Sequence, residues 1–273
     1  MRQLRDHDCR DHDRNEAMTD EFDDSGSPHV VGRIGDTVVR HARPWTPAVH
    51  HLLRHLEEVG FPYSPRMRGF DSEGNEVLTY LDGVSGKSGW APVVSEKGLR
   101  AFAQLLRSYH DAVGGYRPAA MSWALSDDAA SDDEVICHGD FAPWNVVWRG
   151  DEPVGLIDWD MAGPRPPLYD IAYAVEFTAP FRDDDECLQW LAYPAAPHRS
   201  RRMEIFAEAY GLASTAGLYE AVLDVQQQRM NNVRALAERG DKRMIEWIAG
   251  GWLEQQQAQS QWSRRSRDLF TPS

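Results

Sequence analysis

The chain has 273 residues, 42% of them apolar, which suits one large domain or two lobes that share a cleft. Its 43 acidic and 29 basic side chains give a formal charge of −14, which argues against nucleic acid as a partner because phosphate binding needs a basic face. The sequence has no run of 18 apolar residues and no signal-like N-terminal stretch, so we expect no membrane partner and a cytoplasmic location.

The N-terminal segment, residues 1–25, is dense in Asp, Arg and His and poor in apolar side chains, so we expect a disordered tail. Within it, His7, Cys9 and His12 could serve as metal ligands, but a solvated polar run is the favoured interpretation. Met18 is an alternative start of translation.

Residues 26–82 predict a small N-terminal lobe. The segments HVVGRI and TVVRHA, joined by Gly35-Asp36, are typical of two β-strands in a hairpin. The segment PAVHHLLRHLEEVG has apolar residues at helical spacing and ends at Gly60, and RMRGF and NEVLTYL indicate two further strands. The predicted order is strand, strand, helix, strand, strand.

Two histidines of the predicted helix, His51 and His55, are four residues apart and mimic an HxxxH zinc motif. No glutamate follows His51 and no third ligand is evident, so a polar helix face is the favoured interpretation.

Residues 83–273 predict a larger, mainly helical C-terminal lobe. The segment LRAFAQLLRSYHDAVGG has the pattern of an amphipathic helix. Three short apolar segments, EVICH, NVVWR and PVGLIDWD, indicate strands, and beyond Pro180 the chain is mostly helical.

Three polar side chains stand at the ends of these apolar segments. Asp140 and Asn145 lie between the first two, and Asp158 ends the third. A hairpin that turns at GDEP would return Asp158 to the neighbourhood of Asn145. Phosphoryl transfer needs such a set: one carboxylate accepts the proton of the attacking hydroxyl, while an amide oxygen and a second carboxylate hold Mg²⁺. We expect His138, two residues before Asp140, to fix the shape of the loop through hydrogen bonds.

The segment HGDFAPWN, followed by LIDWDMAGPRPPLYDIA, resembles the catalytic segment of the aminoglycoside phosphotransferase and choline kinase superfamily. The agreement keeps the family's spacing and extends weakly over residues 25–265. It is carried by seven positions: His138, Gly139, Asp140, Asn145, Asp158, Trp159 and Asp170. The resemblance implies an α+β, two-lobed protein-kinase-like fold, with a small β-sheet-plus-helix nucleotide-binding lobe and a larger helical lobe that carries catalysis and binds the acceptor.

The resemblance also implies roles for single residues. Asp140 would be the catalytic base, Asn145 and Asp158 would hold Mg²⁺, and Asp170 would brace the catalytic loop through backbone N–H groups. The donor would be ATP or GTP. Asp160 would be a further acid beside the site, or else a solvated loop charge.

The segment VLTYLDG resembles the family's hinge between the lobes. By that resemblance, backbone groups of Thr79 and Leu81 would hydrogen-bond the adenine, and Leu78 would line its pocket. The segment SGSP, residues 25–28, is placed like the loop that covers the nucleotide phosphates.

The sequence departs from the family in the small lobe. Arg40 stands where the family usually has a lysine for the nucleotide phosphates, and its planar guanidinium is not equivalent to an ammonium. The first turn of the following helix, PAVHH, has no glutamate to pair with it. We therefore expect the usual ion pair to be absent, and either the helix is used differently, with His50 nearby, or the small lobe is degraded.

Two functions remain open from the sequence. The first is a kinase that phosphorylates a hydroxyl of a small acceptor, such as an aminoglycoside or an amino alcohol. The second is a catalytically silent, kinase-like protein that binds a nucleotide or a partner.

Two groups of residues could contribute to an acceptor site. A solvated loop is the favoured interpretation of the DDDE run at residues 183–186. Five acids could nevertheless attract a cationic acceptor: Glu176, Asp183, Asp184, Asp185 and Glu186. Tryptophans could line the cleft, although a place in the core or an interface is favoured: Trp190, Trp247, Trp252 and Trp262.

Overall fold

The computed structural model describes residues 30–271. The expected tail with His7, Cys9 and His12, the alternative start at Met18 and the SGSP segment at residues 25–28 lie outside the described residues.

The small lobe contains a four-stranded antiparallel sheet and one helix. The strands are β1 (Val30–Ile34), β2 (Thr37–Arg40), β3 (Met67–Phe70) and β4 (Glu76–Thr79), in the spatial order β1-β2-β4-β3. Helix α1 (Thr46–Glu58) lies between β2 and β3 in the chain and has Pro47 in its first turn, where its missing N–H costs no intrahelical hydrogen bond. The predicted order of strands and helix in this lobe is confirmed.

Helix α1 buries the apolar face that its sequence predicts. Leu52, Leu53 and Leu56 are almost fully buried, whereas Glu57 and Glu58 are exposed. Burial of this face stabilises the helix against the rest of the protein by roughly 1.5–3 kcal/mol per leucine. The position of His50 on the same buried face is therefore fixed by packing.

The large lobe is mainly helical. Its helices are α2 (Trp90–Val94), α3 (Glu96–Val113), α4 (Leu168–Thr178), α5 (Asp184–Trp190), α6 (Arg199–Tyr210), α7 (Leu218–Glu238), α8 (Lys242–Ala249) and α9 (Trp252–Arg265). Helix α3 packs on α6, and α4 packs on α7. None of the helices within residues 30–271 is both long and apolar enough to cross a bilayer.

Two small antiparallel strand pairs carry the predicted catalytic segment. Strand β6 (Val146–Arg149) pairs with β7 (Glu152–Leu156), as the hairpin at GDEP predicts. Strand β5 (Val135–Cys137) pairs instead with β8 (Gly163–Arg165), a strand that sequence patterning missed because it has only three residues, one of them proline. The loop between β5 and β6 is thus held by two different strand pairs.

Candidate active site

A cleft of about 1220 Å³ separates the sheet of the small lobe from the helices of the large lobe. Its walls include β2, the segment after β4, the loop between β5 and β6, and helices α4, α7, α8 and α9. All the predicted site residues except His138 and Asp170 line it. Those two lie beneath the loop, fully buried.

Asp140 is held at both carboxylate oxygens. The phenolic hydroxyl of Tyr173 donates to its Oδ1, and Nδ2 of Asn145 donates to its Oδ2 over 2.8 Å. The same Asn145 nitrogen donates to the main-chain oxygen of Asp140 over 2.9 Å, which closes the loop on itself. These two donors fix the plane of the carboxylate.

Tyr173 is a site residue that sequence reasoning missed. It lies on α4, three residues after Asp170, so the two side chains share one face of the helix. Burial raises the pKa of its hydroxyl well above the usual value, and the charge of Asp140 raises it further. Tyr173 therefore stays protonated and remains a donor to Asp140.

Asp170 holds the backbone of the loop from below. Its Oδ2 accepts the N–H of His138 over 2.7 Å, and its Oδ1 accepts the N–H of Gly139 over 2.9 Å. His110 on α3 lies 3.3 Å from the same Oδ2. Burial alone would raise the pKa of Asp170, but the hydrogen bond from His110, the neighbouring histidines and the Gly139 N–H lower it below its usual value. Asp170 is therefore ionised while fully buried.

Gly139 has to be a glycine at this point of the loop. Its φ is +83°, and a Cβ would lie 2.0 Å from the main-chain oxygen of Met161. No residue with a side chain fits without displacing that backbone.

His138 connects the loop to the strand that leads to Asp158. Its Nε2 lies 3.0 Å from the main-chain oxygen of Ile157, and its Nδ1 accepts the N–H of Asp140 over 3.3 Å. Burial lowers the pKa of His138, although Asp170 and Asp158 oppose this. A neutral ring that donates from Nε2 and accepts at Nδ1 satisfies both contacts, so the geometry is that of a residue that shapes the loop.

Asn145 and Asp158 are brought to the same end of the β6–β7 pair. The N–H of Ile157 donates to the main-chain oxygen of Asn145 over 2.9 Å, and Asp158 follows directly. Asp158 has a left-handed backbone (φ +61°, ψ +69°), a conformation that costs a non-glycine residue free energy and is concentrated at functional sites. Its side chain is 49% exposed toward the cleft. Carboxylate and amide oxygens of this kind are the donors that Mg²⁺ prefers.

Arg40 has a carboxylate partner that the sequence does not predict. Its Nε lies 3.5 Å from Oε1 of Glu76, which comes from β4 and not from the helix. The other oxygen of Glu76 lies 3.0 Å from Nε2 of His50 on α1. Glu76 was missed because only the pairing of β2 with β4 places it opposite Arg40. Helix α1 thus contributes His50 and not a glutamate, in agreement with the interpretation that the helix is used differently.

The far end of the Arg40 guanidinium reaches across the cleft. Its Nη2 lies 2.6 Å from Oδ2 of Asp160 and 3.9 Å from Oδ1 of Asp158. Asp160 is therefore neither free nor merely solvated, since its side chain is 18% exposed and pairs with a residue of the other lobe.

The hinge-like segment lines the cleft, and its backbone groups differ in the hydrogen bonds that they already make. Leu78 is buried against it, as expected. The N–H of Thr79, however, donates to the main-chain oxygen of Arg66 over 2.9 Å, so it is not available to a ligand. This bond belongs to the pairing of β4 with the segment before β3. Within residues 30–271 the N–H of Leu81 makes no hydrogen bond, so Leu81 is the better-placed amide of the two.

Three of the four predicted tryptophans line the helical side of the cleft. They are Trp247 at the end of α8 and Trp252 and Trp262 on α9. Trp262 also packs against the hydrophobic core, in agreement with the favoured interpretation, whereas Trp247 and Trp252 lie on helices that wall the cleft. Trp190 lies outside the cleft and is 48% exposed.

The acids of the helical lobe are engaged by basic groups or caps. Glu176 is buried and paired with Arg229 over 3.1 Å. An oxygen of Asp183 caps α5 by accepting the N–H of Glu186. The remaining contacts are Asp184 with Arg199 at 2.9 Å and Glu186 with Arg182 at 3.9 Å, while Asp185 is exposed. Three of the five acids, Glu176, Asp184 and Glu186, are therefore paired with arginines, whereas Asp183 and Asp185 have no ion pair within the described residues.

The histidine pair of α1 makes polar contacts of the ordinary kind. His51 bonds the hydroxyl of Tyr116, and Nε2 of His55 lies 3.0 Å from the main-chain oxygen of Ala112. These contacts agree with the polar helix face expected for them.

Comparison with known proteins points to one family. Residues 116–205, which include the loop and all of α4, match the Phosphotransferase enzyme family (APH). A Trifolitoxin immunity protein from Rhizobium leguminosarum bv. trifolii is 34% identical over 194 residues, which cover 69% of this chain and 72% of that protein.

Solved structures with low sequence identity share the fold. A putative aminoglycoside phosphotransferase from Ralstonia eutropha JMP134 (12% identity) covers 93% of this chain and 98% of its own, with a TM-score of 0.54. An amicoumacin kinase in complex with AMP-PNP, Ca²⁺ and Ami (11%) covers 93% and 92%, also with 0.54. A Plasmodium vivax ethanolamine kinase (13%) covers 85% and 81%, with 0.53. The α+β, two-lobed, protein-kinase-like fold expected from the sequence is confirmed.

Proposed function

Because this chain belongs to the Phosphotransferase enzyme family, we propose that it transfers the γ-phosphate of ATP or GTP to a hydroxyl group of a small-molecule acceptor. The observation that carries this proposal is the carboxylate of Asp140, which lies in the cleft and is held by Tyr173 and Asn145. Holding a carboxylate in one orientation at the floor of a cleft is what a base for an incoming hydroxyl requires.

Asp140 is the proposed base. Its fixed orientation aims the remaining lone pairs at an acceptor hydroxyl, which it positions and whose proton it takes as the phosphoryl group is transferred. The donors from Tyr173 and Asn145 keep the carboxylate from turning away. His138 and Asp170 hold the backbone on which Asp140 stands.

Asn145 and Asp158 are the proposed Mg²⁺ ligands. Nδ2 of Asn145 is used by Asp140, which directs its amide oxygen away from that carboxylate. The half-exposed carboxylate of Asp158 supplies further oxygens, so the donor set fits a hard cation. Mg²⁺ held by Asn145 and Asp158 would supply positive charge that stabilises the phosphate being transferred.

The nucleotide is proposed to bind between the sheet and the loop. Leu78 supplies an apolar wall and Leu81 a backbone amide for the nucleobase. Arg40, which lies beside Asp160 in this structure, offers its guanidinium to the phosphates. The amicoumacin kinase with AMP-PNP, a structure of the same fold, supports a nucleoside triphosphate as the donor.

The acceptor is proposed to bind against α4, α7, α8 and α9. The aromatic faces there are already covered by cations: Arg229 lies over Phe177 at 5.4 Å and over Trp252 at 6.0 Å, and Arg243 lies over Trp247 at 4.7 Å. With Glu176, Asp184 and Glu186 paired as well, this wall favours an acceptor that has an apolar face and one positive charge or none over a polycation. The immunity protein among its relatives supports a toxic compound as the acceptor.

The alternative of a silent, nucleotide-binding protein rested on the missing lysine and glutamate. The contact of Arg40 with Glu76 supplies a cation and a carboxylate at the corresponding place, which favours the active enzyme.

Phosphate transfer from [γ-³²P]ATP and from [γ-³²P]GTP to a panel of hydroxyl compounds tests the proposal. We expect one acceptor to be labelled with Mg²⁺ present, and the Asp140→Asn variant to lose about 10²–10⁴-fold in kcat, the range of a positioned base. The variant should keep the rise in melting temperature that the Mg²⁺-nucleotide gives the wild type. An acceptor labelled equally well by Asp140→Asn would refute the base.

A further inference from the structure

Arg40 and Glu76 are cross-strand neighbours. Their Cα atoms are paired in the register of β2 with β4, so their side chains lie on one face of the sheet. Nε of Arg40 lies 3.5 Å from Oε1 of Glu76, whose side chain is almost fully buried. A buried carboxylate is costly unless charged or hydrogen-bonding groups surround it, so Glu76 requires partners.

His50 is the second partner of Glu76. It is buried on α1, its Nε2 lies 3.0 Å from Oε2 of Glu76, and its ring packs on Phe70 at 5.1 Å between centroids. The carboxylate is therefore fixed from two sides, by the helix and by β2. The contacts form a series from His50 on α1 through Glu76 on β4 to Arg40 on β2.

The two ends of the Arg40 guanidinium face different groups. The Nε edge faces Glu76, whereas Nη2 faces Asp160 and Asp158 on the other side of the cleft. Arginine has a long side chain with many rotamers, and its donors form a planar fork. Fixing the Nε edge therefore fixes the direction in which Nη2 points.

We propose that His50 and Glu76 are positioning residues that aim the Arg40 guanidinium at the nucleotide phosphates, an inference that rests on the proposed function. His50 holds Glu76, and Glu76 holds the Nε edge of Arg40. Neither residue touches the nucleotide. Their effect is on nucleotide affinity and on the nucleotide KM, and not on the acceptor KM.

The test compares substitutions that keep or remove the contact. His50→Leu removes the hydrogen-bonding nitrogen but keeps an apolar side chain of similar size, whereas His50→Gln keeps a donor. Glu76→Gln keeps the shape and removes the charge. The matched control is His51→Leu, because His51 is the next residue on the same helix, is exposed, and bonds Tyr116 and not Glu76.

The measurements are the Kd of Mg²⁺-ADP by calorimetry, the KM values of both substrates and the melting temperature of each variant. We expect His50→Leu and Glu76→Gln to raise the Kd and the nucleotide KM about tenfold, the loss of one hydrogen bond to a charged group. The acceptor KM should stay unchanged, His50→Gln should lie within about twofold of the wild type, and His51→Leu should match it. In an Arg40→Ala background, His50→Leu should have no further effect, since both act on one group.

Two results would overturn the inference. One is a folded His50→Leu protein with wild-type Kd, and the other is the same loss of affinity in the Arg40→Ala background. In both cases a wild type that binds nucleotide and phosphorylates an acceptor leaves the proposed function standing. A wild type that binds no nucleotide refutes the proposed function, and the inference with it.

Discussion

The hydroxyl of Tyr173 on α4 donates to Oδ1 of Asp140, and Asp170, one turn earlier on the same helix, accepts the backbone N–H groups that precede Asp140. One face of one helix therefore sets both the position of the loop and the orientation of the proposed base.

Tyr173→Phe should lower kcat about tenfold, because the carboxylate loses a hydrogen bond that orients it, while the aromatic packing stays. Steady-state kinetics with saturating nucleotide check this. Tyr193→Phe is the control, because its hydroxyl bonds the main-chain oxygen of Thr178, away from Asp140, and we expect wild-type kcat. If the Tyr173→Phe enzyme is as fast as the wild type, Tyr173 does not assist the base.

Arg40→Ala should weaken binding of the Mg²⁺-nucleotide more than Arg43→Ala does. Nη2 of Arg40 lies 3.9 Å from the proposed Mg²⁺ ligand Asp158, whereas Arg43 pairs with Asp241, the residue that caps α8. Calorimetry with Mg²⁺-ADP measures the difference, and equal effects would show that Arg40 does not serve the phosphates.

Arg40→Ala should also destabilise the fold, because it removes one of the two partners of the buried Glu76. Removing a partner from a buried ion pair costs about 3–5 kcal/mol. We expect a loss in the lower part of that range in the free energy of unfolding, because His50 remains in contact with Glu76. Urea unfolding of both variants at neutral pH measures it, and a smaller loss for Arg40→Ala than for Arg43→Ala would contradict the burial argument.

Acidification should destabilise the protein through His138. Its pKa is lowered by burial, so the unfolded chain binds a proton there more readily than the folded protein does. The stability that the neutral ring contributes is present above the unfolded pKa of about 6.5 and falls as the pH drops below it. The free energy of unfolding, measured in urea from pH 7.5 to 5.5, should decrease on acidification.

The control for this titration is His138→Gln, which should have a shallower dependence on pH although it is less stable overall. If the free energy of unfolding depends equally on pH in the wild type and in His138→Gln, His138 is not the cause of the acid destabilisation.

Trp252→Ala should raise the acceptor KM about tenfold and leave the nucleotide Kd unchanged. Trp252 lines the helical side of the cleft and is covered by Arg229. Loss of such an aromatic contact costs about 0.5–2 kcal/mol where a ligand packs on the ring. Trp190→Ala, outside the cleft, is the matched control.

A panel of acceptors should show a higher kcat/KM for neutral and monoamine compounds than for polycationic ones. A preference for polycations would contradict the charge argument.

The catalytic segment could be predicted from the sequence because its geometry is local. Asp140, Asn145 and Asp158 stand within one loop and one hairpin, and their spacing with apolar flanks is enough to bring them together. The roles of Tyr173 and Glu76 could not be predicted in this way. Tyr173 reaches Asp140 only through the packing of α4 beneath the loop, and Glu76 meets Arg40 only through the register of two strands separated by a helix.

In the small lobe, the carboxylate partner of Arg40 could not be predicted from the sequence either. The lobe's order of strands and helix followed from hairpin and helix signals, but the partner of Arg40 was sought on the helix because the resemblance placed it there. His50 on the helix contacts the glutamate from the strand. The cation–carboxylate pair is thus present with its parts redistributed, a change that position-by-position comparison does not detect.

The contact of Arg40 with Asp160 joins residues 120 positions apart and connects the two lobes directly. The base and its supports, in contrast, all belong to the helical lobe. If the sheet tilted relative to the helices, the distance from Arg40 to the loop of Asp158 would change while the geometry around Asp140 stayed as it is. A movement of the lobes would therefore change the proposed contact of Arg40 with the nucleotide phosphates and leave the orientation of the proposed base, Asp140, unchanged.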